Sequence, residues 1–264
     1  MILYNKSITK SMRCFYIITR EVTTMAGQIF ERYEKKYLLD EYQYTELMKV
    51  LKGRFQIDNY GKTTINNIYY DTPESLLIRR SIEKPVYKEK LRVRSYGKAD
   101  SETQVFIELK KKYKGIVYKR RTSMKLRHSD AFLAGTRHPG KSPQIENEIQ
   151  YFMKMYKGIG PAMYIGYDRI AMFGLENEDL RITFDTNIRY RQERLSLDQG
   201  SDGEQLLEPG QTLMEIKIPG VMPLWLSKEL SRLKIFPTSF SKYGRAYMMS
   251  FMQKNEKGKV TNCA

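Results

Sequence analysis

Lys88, Lys90, Arg92 and Arg94 stand at every second position of KEKLRVRSYG, and Glu108, Lys110 and Lys112 do the same in FIELKKK. Alternate residues of a strand share one face, so each stretch presents a face of cations relieved by an occasional acid. EKKY places Glu34 beside Lys36, and LMEIKI places Glu215 beside Lys217. The opposite faces are apolar, with Val105, Ile107 and Leu109 in one strand and Met214, Ile216 and Ile218 in another. Arg offers planar bidentate hydrogen bonds to phosphate oxygens, and Lys offers a mobile point charge. A face of this kind suits a chain of phosphates. The acids keep the cations from repelling one another, and with phosphate oxygens they can hold a hard divalent metal.

Two arrangements satisfy such faces. A sandwich buries the apolar sides and leaves the charged sides in water. A barrel with its core outside, covered by helices, makes the charged sides converge on a channel. The wider composition agrees with a polyanionic partner: 46 Lys and Arg against 30 Asp and Glu give a net charge of +16 over 264 residues. Cys14 and Cys263 lie in opposite tails and read as unpaired thiols of a reducing compartment. The only histidines, His128 and His138, fall in stretches read as loop, so no zinc set is expected. No apolar run reaches the length of a membrane span.

The elements that must position these faces follow from periodicity. Strands are predicted over 29–39, 63–72, 87–96, 103–113, 115–124, 162–172, 180–192 and 211–220. Helices are predicted over 41–55, 73–84, 145–158, 223–236 and the later part of 239–254. Residues 197–210 read as a surface loop. Hairpin-linked strands without regular β-α-β alternation predict an α+β fold with an antiparallel sheet, forming a barrel or tunnel with helices packed outside. One catalytic domain is expected over 29–254. Residues 1–28 read as an extension, with Met25 as an alternative start, and 255–264 as a flexible tail.

The motifs EKKY (34–37), YYDT (69–72), LRVRSYG (91–97), FIELKKK (106–112), YKRRTS (118–123), YDR (167–169), RITFD (181–185), LMEIKI (213–218) and SFSKYGRA (239–246) occur in that order. Together they resemble the polyphosphate polymerase domain of the vacuolar transporter chaperone (VTC) proteins, within the CYTH/triphosphate tunnel superfamily. The resemblance implies a basic tunnel that holds Mn2+ or Mg2+. It also implies transfer of the ATP γ-phosphate to inorganic polyphosphate, with release of ADP. Arg92, Arg94, Lys110 and Arg181 take the catalytic positions. Lys36, Arg121 (or its neighbour Arg120), Arg169, Lys217, Lys242 and Arg245 take phosphate-binding positions. Glu215, Glu34 and Glu108 take the metal positions. Asp71 fits a helix cap as well as a metal role, and Asp168 and Asp185 fit structural roles.

One departure stands out. Relatives often begin ExExK, whereas here Arg32 precedes Glu34 and Lys36. The loss of one carboxylate weakens a two-metal hydrolytic site and favours the polymerase branch. The expected partners are ATP and polyphosphate or triphosphate, with a membrane-protein partner also in view and no nucleic acid. The expected location is cytoplasmic. The rival functions are a metal-dependent tripolyphosphate or nucleoside triphosphate hydrolase on the same tunnel, and a non-catalytic polyanion binder.

Overall fold

The alternating stretches do form strands. A computed structural model of the protein describes residues 32–114, 116–136 and 143–260. Its strands are β1 (Arg32–Leu39), β2 (Phe55–Asp71), β3 (Tyr87–Tyr96), β4 (Gln104–Tyr113), β5 (Ile116–Lys125), β6 (Gly160–Gly174), β7 (Arg181–Arg191), β8 (Glu204–Gln205) and β9 (Thr212–Pro219). The helices are α1 (Glu41–Leu51), α2 (Leu76–Ile82), α3 (Leu126–Leu133), α4 (Pro143–Met155), α5 (Leu224–Arg232) and α6 (Lys242–Val260). The strands make one antiparallel sheet in the order β1-β9-β7-β6-β2-β3-β4-β5, with β8 beside β7. The fold is α+β and antiparallel, as expected. Among the described residues β1 and β5 do not pair, so hydrogen bonds do not close the ring.

The sheet nonetheless curls. β4 and β9 are separated in the sheet by four other strands, yet Lys110 on β4 helps lower the pKa of Lys217 on β9. Likewise Lys36 on β1 bears on Lys90 on β3. The charged faces therefore point at one another. The apolar faces turn outward and are covered by helices. Tyr37, Leu39, Met214, Ile216 and Ile218 pack with Leu47 and Leu51 of α1 and with Leu226 and Leu230 of α5. Leu91, Val93, Val105, Ile107 and Leu109 pack with Phe132 of α3 and with Ile149 and Phe152 of α4. Helices thus lie outside and charge inside.

The interior is not charged throughout. Ile65, Met163, Ile165, Ile188 and Leu213 cluster with Phe240, just before α6, and with Tyr243 and Ala246 in its first turns. This apolar plug packs the first turns of α6 against the inward faces of β2, β6, β7 and β9.

Several elements differ from the sequence reading. β2 begins at Phe55, not near 63. Its first part pairs with the end of β6 across a register shift between Ile57 and Lys62. The polar stretch from Asp58 to Gly61 lies in that irregularity, so it shows no alternation to detect. His128 sits on the short helix α3 instead of in a loop, because Phe132 and Leu133 give that segment an apolar side to bury. His138, Cys14, Cys263 and the proposed extension 1–28 lie outside the described residues. α6 runs to Val260, past the predicted boundary at 254. No described helix is long and apolar enough to cross a membrane.

Candidate functional site

Strand register sorts the inward side chains into rungs. Lys90, Lys110 and Lys119 lie side by side across β3, β4 and β5. The next rung is Arg92, Glu108 and Arg121, and Arg94 follows on β3. On the other wall Lys36 of β1, Glu215 of β9 and Thr183 of β7 form a rung, and Asp185 of β7 faces Arg169 of β6.

Glu108 is the centre of the first group and is 2% exposed. Arg92 Nε donates to its Oε2 at 2.8 Å. Lys119 Nζ is 2.6 Å from Oε1, Arg121 Nε is 3.4 Å from Oε1, and Arg94 is 4.0 Å from Oε2. Neither Lys119 nor Arg121 is aligned for a hydrogen bond to Oε1, which accepts none. Burial alone would raise this carboxyl. Arg92, Arg94 and Lys119 overcome it and hold the pKa down to about 2.

The second group is built on Asp185 and Glu215. Arg169 grips Asp185 with two bonds, of 2.6 and 2.7 Å. Lys242, the first residue of α6, lies 2.5 Å from Asp185 Oδ2 and 3.4 Å from Glu215 Oε1. Lys36 Nζ lies 3.3 Å from the same Glu215 oxygen and 3.9 Å from Glu34, and it donates to the Phe240 carbonyl at 3.0 Å. Burial works against ionised Glu215, but Lys242, Lys36 and Arg169 outweigh it and hold the pKa well below the usual range. Glu215 Oε2 accepts no hydrogen bond from the described residues. Thr183 Oγ1, on the same rung, is buried without a hydrogen-bond partner among the described residues.

Tyr167 joins the two groups. Its hydroxyl accepts from Arg94 at 3.2 Å, and Lys242 Nζ sits 4.6 Å from its ring centroid. Tyr69 accepts from Arg92 at 3.0 Å and stacks on Tyr243 with centroids 4.7 Å apart.

The inward lysines Lys90, Lys110 and Lys217 lack a carboxylate within salt-bridge distance among the described residues. Burial lowers the Lys90 pKa to about 8, with Lys110, Lys36 and Arg92 adding repulsion. Lys217 is also lowered, first by burial. Charges left unbalanced in a crowded channel are what a bound polyanion would balance.

The remaining expected residues are placed differently. Arg120 turns outward to Glu148 of α4, at 3.1 Å, so Arg121 is the inward member of that pair. Arg181 is exposed at the start of β7, and its Nε donates to the Glu178 carbonyl at 3.3 Å. Arg245 is exposed, with its guanidinium over the Phe240 ring. Among the described residues, no three of His, Cys, Asp and Glu come together as a metal-holding set. Glu34 and Glu215 meet at Lys36, whereas Glu108 stands apart, enclosed by cations. Asp71 is a cap: it accepts from the backbone N–H groups of Thr72, Leu77 and Ile78 and from the Tyr243 hydroxyl. Lys119, Tyr69, Tyr167 and Asp185 join the candidate site although the sequence reading gave them no site role, and Lys90, read there only as part of the cationic face, joins it too. Parity with Arg92 was the available signal for Lys90, and parity with Arg181 for Asp185.

An antiparallel sheet curled about a cation-rich interior, with few acids and no histidine in it among the described residues, is an arrangement of the triphosphate-tunnel kind. A family model for the VTC domain matches residues 31–251, and the chain belongs to that family. No curated protein matches the chain. Among solved structures, a candidate adenylyl cyclase from Hippeastrum with a dominant triphosphatase activity covers 81% of this chain and 94% of its own at 15% identity, with a TM-score of 0.48. A candidate adenylate cyclase from Bacillus halodurans covers 79% and 92% at 12% identity, with a TM-score of 0.47. A third, from Vibrio parahaemolyticus, covers 83% and 99% at 12% identity, with a TM-score of 0.43. At these scores the likeness is a partial overlap of chain path.

Proposed function

We propose that the protein is a polyphosphate polymerase that transfers the γ-phosphate of ATP to the end of a growing inorganic polyphosphate chain and releases ADP. The observation that carries this reading is the run of inward cations from Lys90 and Lys110 through Arg92 and Arg94, of which both lysines lack a carboxylate partner. Such a run matches the charge spacing of a phosphate chain better than that of a single orthophosphate. The terminal phosphate oxygen of the acceptor forms the new P–O bond. The bond from the γ-phosphorus to its bridging oxygen breaks, and the electron pair leaves on ADP. An anionic phosphate oxygen needs no general base to become a nucleophile, in keeping with a site that contains no histidine among its described residues. Arg92, Arg94 and Lys110 hold and align phosphates, and alignment with charge neutralisation supplies most of the catalysis in such transfers.

The residues present fit a divalent metal on one wall only. Among the described residues Glu215 Oε1 meets only Lys36 and Lys242, Thr183 Oγ1 beside it is without a hydrogen-bond partner, and Glu34 shares Lys36 with Glu215. These groups would hold Mn2+ or Mg2+, with phosphate oxygens completing the shell. The metal supplies charge neutralisation on the phosphates when bound. Glu108, closed in by Arg92, Lys119 and Arg121, fits an ion-pair hub that fixes the arginines. Use of ATP agrees with a cytoplasmic location.

The test is to incubate the purified chain with ATP and Mn2+, with and without a short polyphosphate primer, and to assay polymer and ADP together. Lys110→Ala and Glu215→Ala are run alongside. Polymer with matching ADP, lost in both variants, is the expected result. Orthophosphate without polymer would make the protein a hydrolase, and tight polyphosphate binding without turnover would make it a binder.

A further inference from the structure

One end of the β3-β4-β5 ladder carries apolar side chains that no described residue covers. Val86 is 63% exposed, Ile116 59% and Val117 46%, and Tyr87, Tyr113 and Tyr118 are more than a third exposed. Register gathers them: Tyr87 pairs with Tyr113, Tyr113 with Ile116, Lys112 with Val117 and Lys111 with Tyr118. Alternation sets Tyr87, Tyr113, Ile116 and Tyr118 on the outer face and Val117, opposite Lys112, on the inward face, so the apolar side chains sit on both faces at the tips of three neighbouring strands. Its frame is firm, since the Lys114 backbone N–H donates to the Val86 carbonyl at 3.0 Å.

Lysines surround the patch. Lys84, Lys111, Lys112 and Lys114 make no ion pair among the described residues. Lys84 and Lys114 hold left-handed backbone, with φ of 55° and 45°, where glycine would sit without strain. The tip thus carries charge at positions whose backbone favours glycine. Among the described residues, the nearby Glu89 is buried and committed to the hydroxyls of Tyr87 and Tyr156.

We propose that this end of the sheet docks on an anionic lipid bilayer. The aliphatic tips and tyrosines would enter the interface while the lysines face the headgroups. The combination selects this occupant. Val86, Ile116 and Val117 offer nothing to a soluble polyanion, whereas apolar tips ringed by lysine are what an acidic membrane surface binds. A second copy is disfavoured, because a net charge of +16 and a β5 edge bearing Lys119, Arg120, Arg121 and Lys125 oppose edge-to-edge pairing. The same strands carry Lys88, Lys90 and Arg92 inward from this end, so docking would set the channel against the membrane surface. The inference is independent of the polymerase reading, because binding is measured without ATP.

The experiment is co-sedimentation of the full chain with vesicles of phosphatidylcholine alone or mixed with phosphatidylserine. The expected result is binding to the mixed vesicles at least about tenfold tighter than to neutral ones. Combining Val86→Ser, Ile116→Ser and Val117→Ser should weaken it about tenfold, and combining Lys111→Glu, Lys112→Glu and Lys114→Glu should remove it. Five of the six positions are exposed and Lys111 is half-buried, and an unchanged melting temperature would confirm that each variant folds. Lys90→Ala in the channel should bind vesicles like the parent. The proposal is overturned if the serine variant sediments like the parent, or if Lys90→Ala abolishes vesicle binding. It is also overturned if the parent ignores both vesicle types, including the case where it is a dimer that the serine changes split.

Discussion

Lys242 Nζ lies 2.5 Å from Asp185 Oδ2, with 9% and 0% of the two side chains exposed. The contact fastens the first turn of α6 to the wall of the channel, and Lys242 also reaches Glu215. Lys242→Met would leave Asp185 with Arg169 alone and Glu215 with Lys36. Breaking a buried ion pair costs about 3–5 kcal/mol, and the bidentate Arg169 grip keeps the expected loss near the lower end. Urea unfolding of parent and variant measures it. An unchanged midpoint would mean that α6 is held by its apolar plug and not by this charge.

Glu108 predicts acid sensitivity. Its pKa falls from the ordinary 4.5 to about 2 in the folded protein. A depressed carboxyl stabilises the fold fully above the unfolded value, and that contribution is lost as pH falls through the folded value. The window therefore runs from about pH 4.5 down to about pH 2, and the contribution is roughly 3 kcal/mol. Asp185 and Glu215 shift in the same direction. Glu108→Gln should lower stability at neutral pH and flatten the acid limb of a plot of urea midpoint against pH. An equally steep limb in the variant would assign the acid sensitivity to the other two carboxyls.

Lys90 predicts the opposite trade. Its folded pKa of about 8 lies below the ordinary 10.5, so the folded state sheds this proton more readily than the unfolded chain. The penalty is fully present below about pH 8 and is relieved as pH rises toward about 10.5, so stability rises across that window. Lys90→Met should stabilise the free protein at neutral pH by up to about 3 kcal/mol. It should also weaken polyphosphate binding about tenfold, the loss of one phosphate contact. Affinity in the parent should decline above about pH 8. Tyr69 contributes to that decline: burial opposes its ionisation, but Arg92, Lys90 and Arg94 bring its pKa down to about 8. Calorimetric titration with polyphosphate, paired with thermal melts, reads both signs. A variant that binds as tightly as the parent would remove Lys90 from the site.

Much of this arrangement was legible as parity. Alternation placed Arg92, Arg94, Glu108, Lys110 and Glu215 on charged faces and assigned the apolar faces to the helices. Parity could also have separated Arg120 from Arg121, because Lys119 and Arg121 share the face that meets Glu108. It could not show which strands face each other across the channel. That depends on the order β1-β9-β7-β6-β2-β3-β4-β5, so the meeting of Asp185, Arg169 and Lys242 was hidden, as was the bridge through Tyr167. Arg181 shares parity with Asp185, but it lies where the strand begins, and there it bonds to Glu178. The first part of β2 was unreadable because its irregular register breaks the period of two. The apolar plug was hidden because its members come from β2, β6, β7, β9 and α6 and form no local pattern.

Asp71 gives a final prediction that separates a structural acid from a metal ligand. Its carboxylate accepts from the N–H groups of Leu77 and Ile78 at 2.8 and 3.0 Å and from Tyr243 Oη at 2.9 Å. It thereby caps α2 and ties that helix to α6, whose Tyr243 ring stacks on Tyr69 at the channel wall. Loss of a cap costs about 1 kcal/mol, and a buried tyrosine hydroxyl left without its acceptor adds about 1–3 kcal/mol. Asp71→Ala should therefore destabilise the protein by about 2–4 kcal/mol, and Asp71→Asn, which keeps one acceptor oxygen, by less. Neither change should alter the Mn2+ concentration needed for half-maximal activity at a temperature where the variant is folded. A variant that melts normally but requires much more Mn2+ would reverse the assignment and make Asp71 a metal ligand.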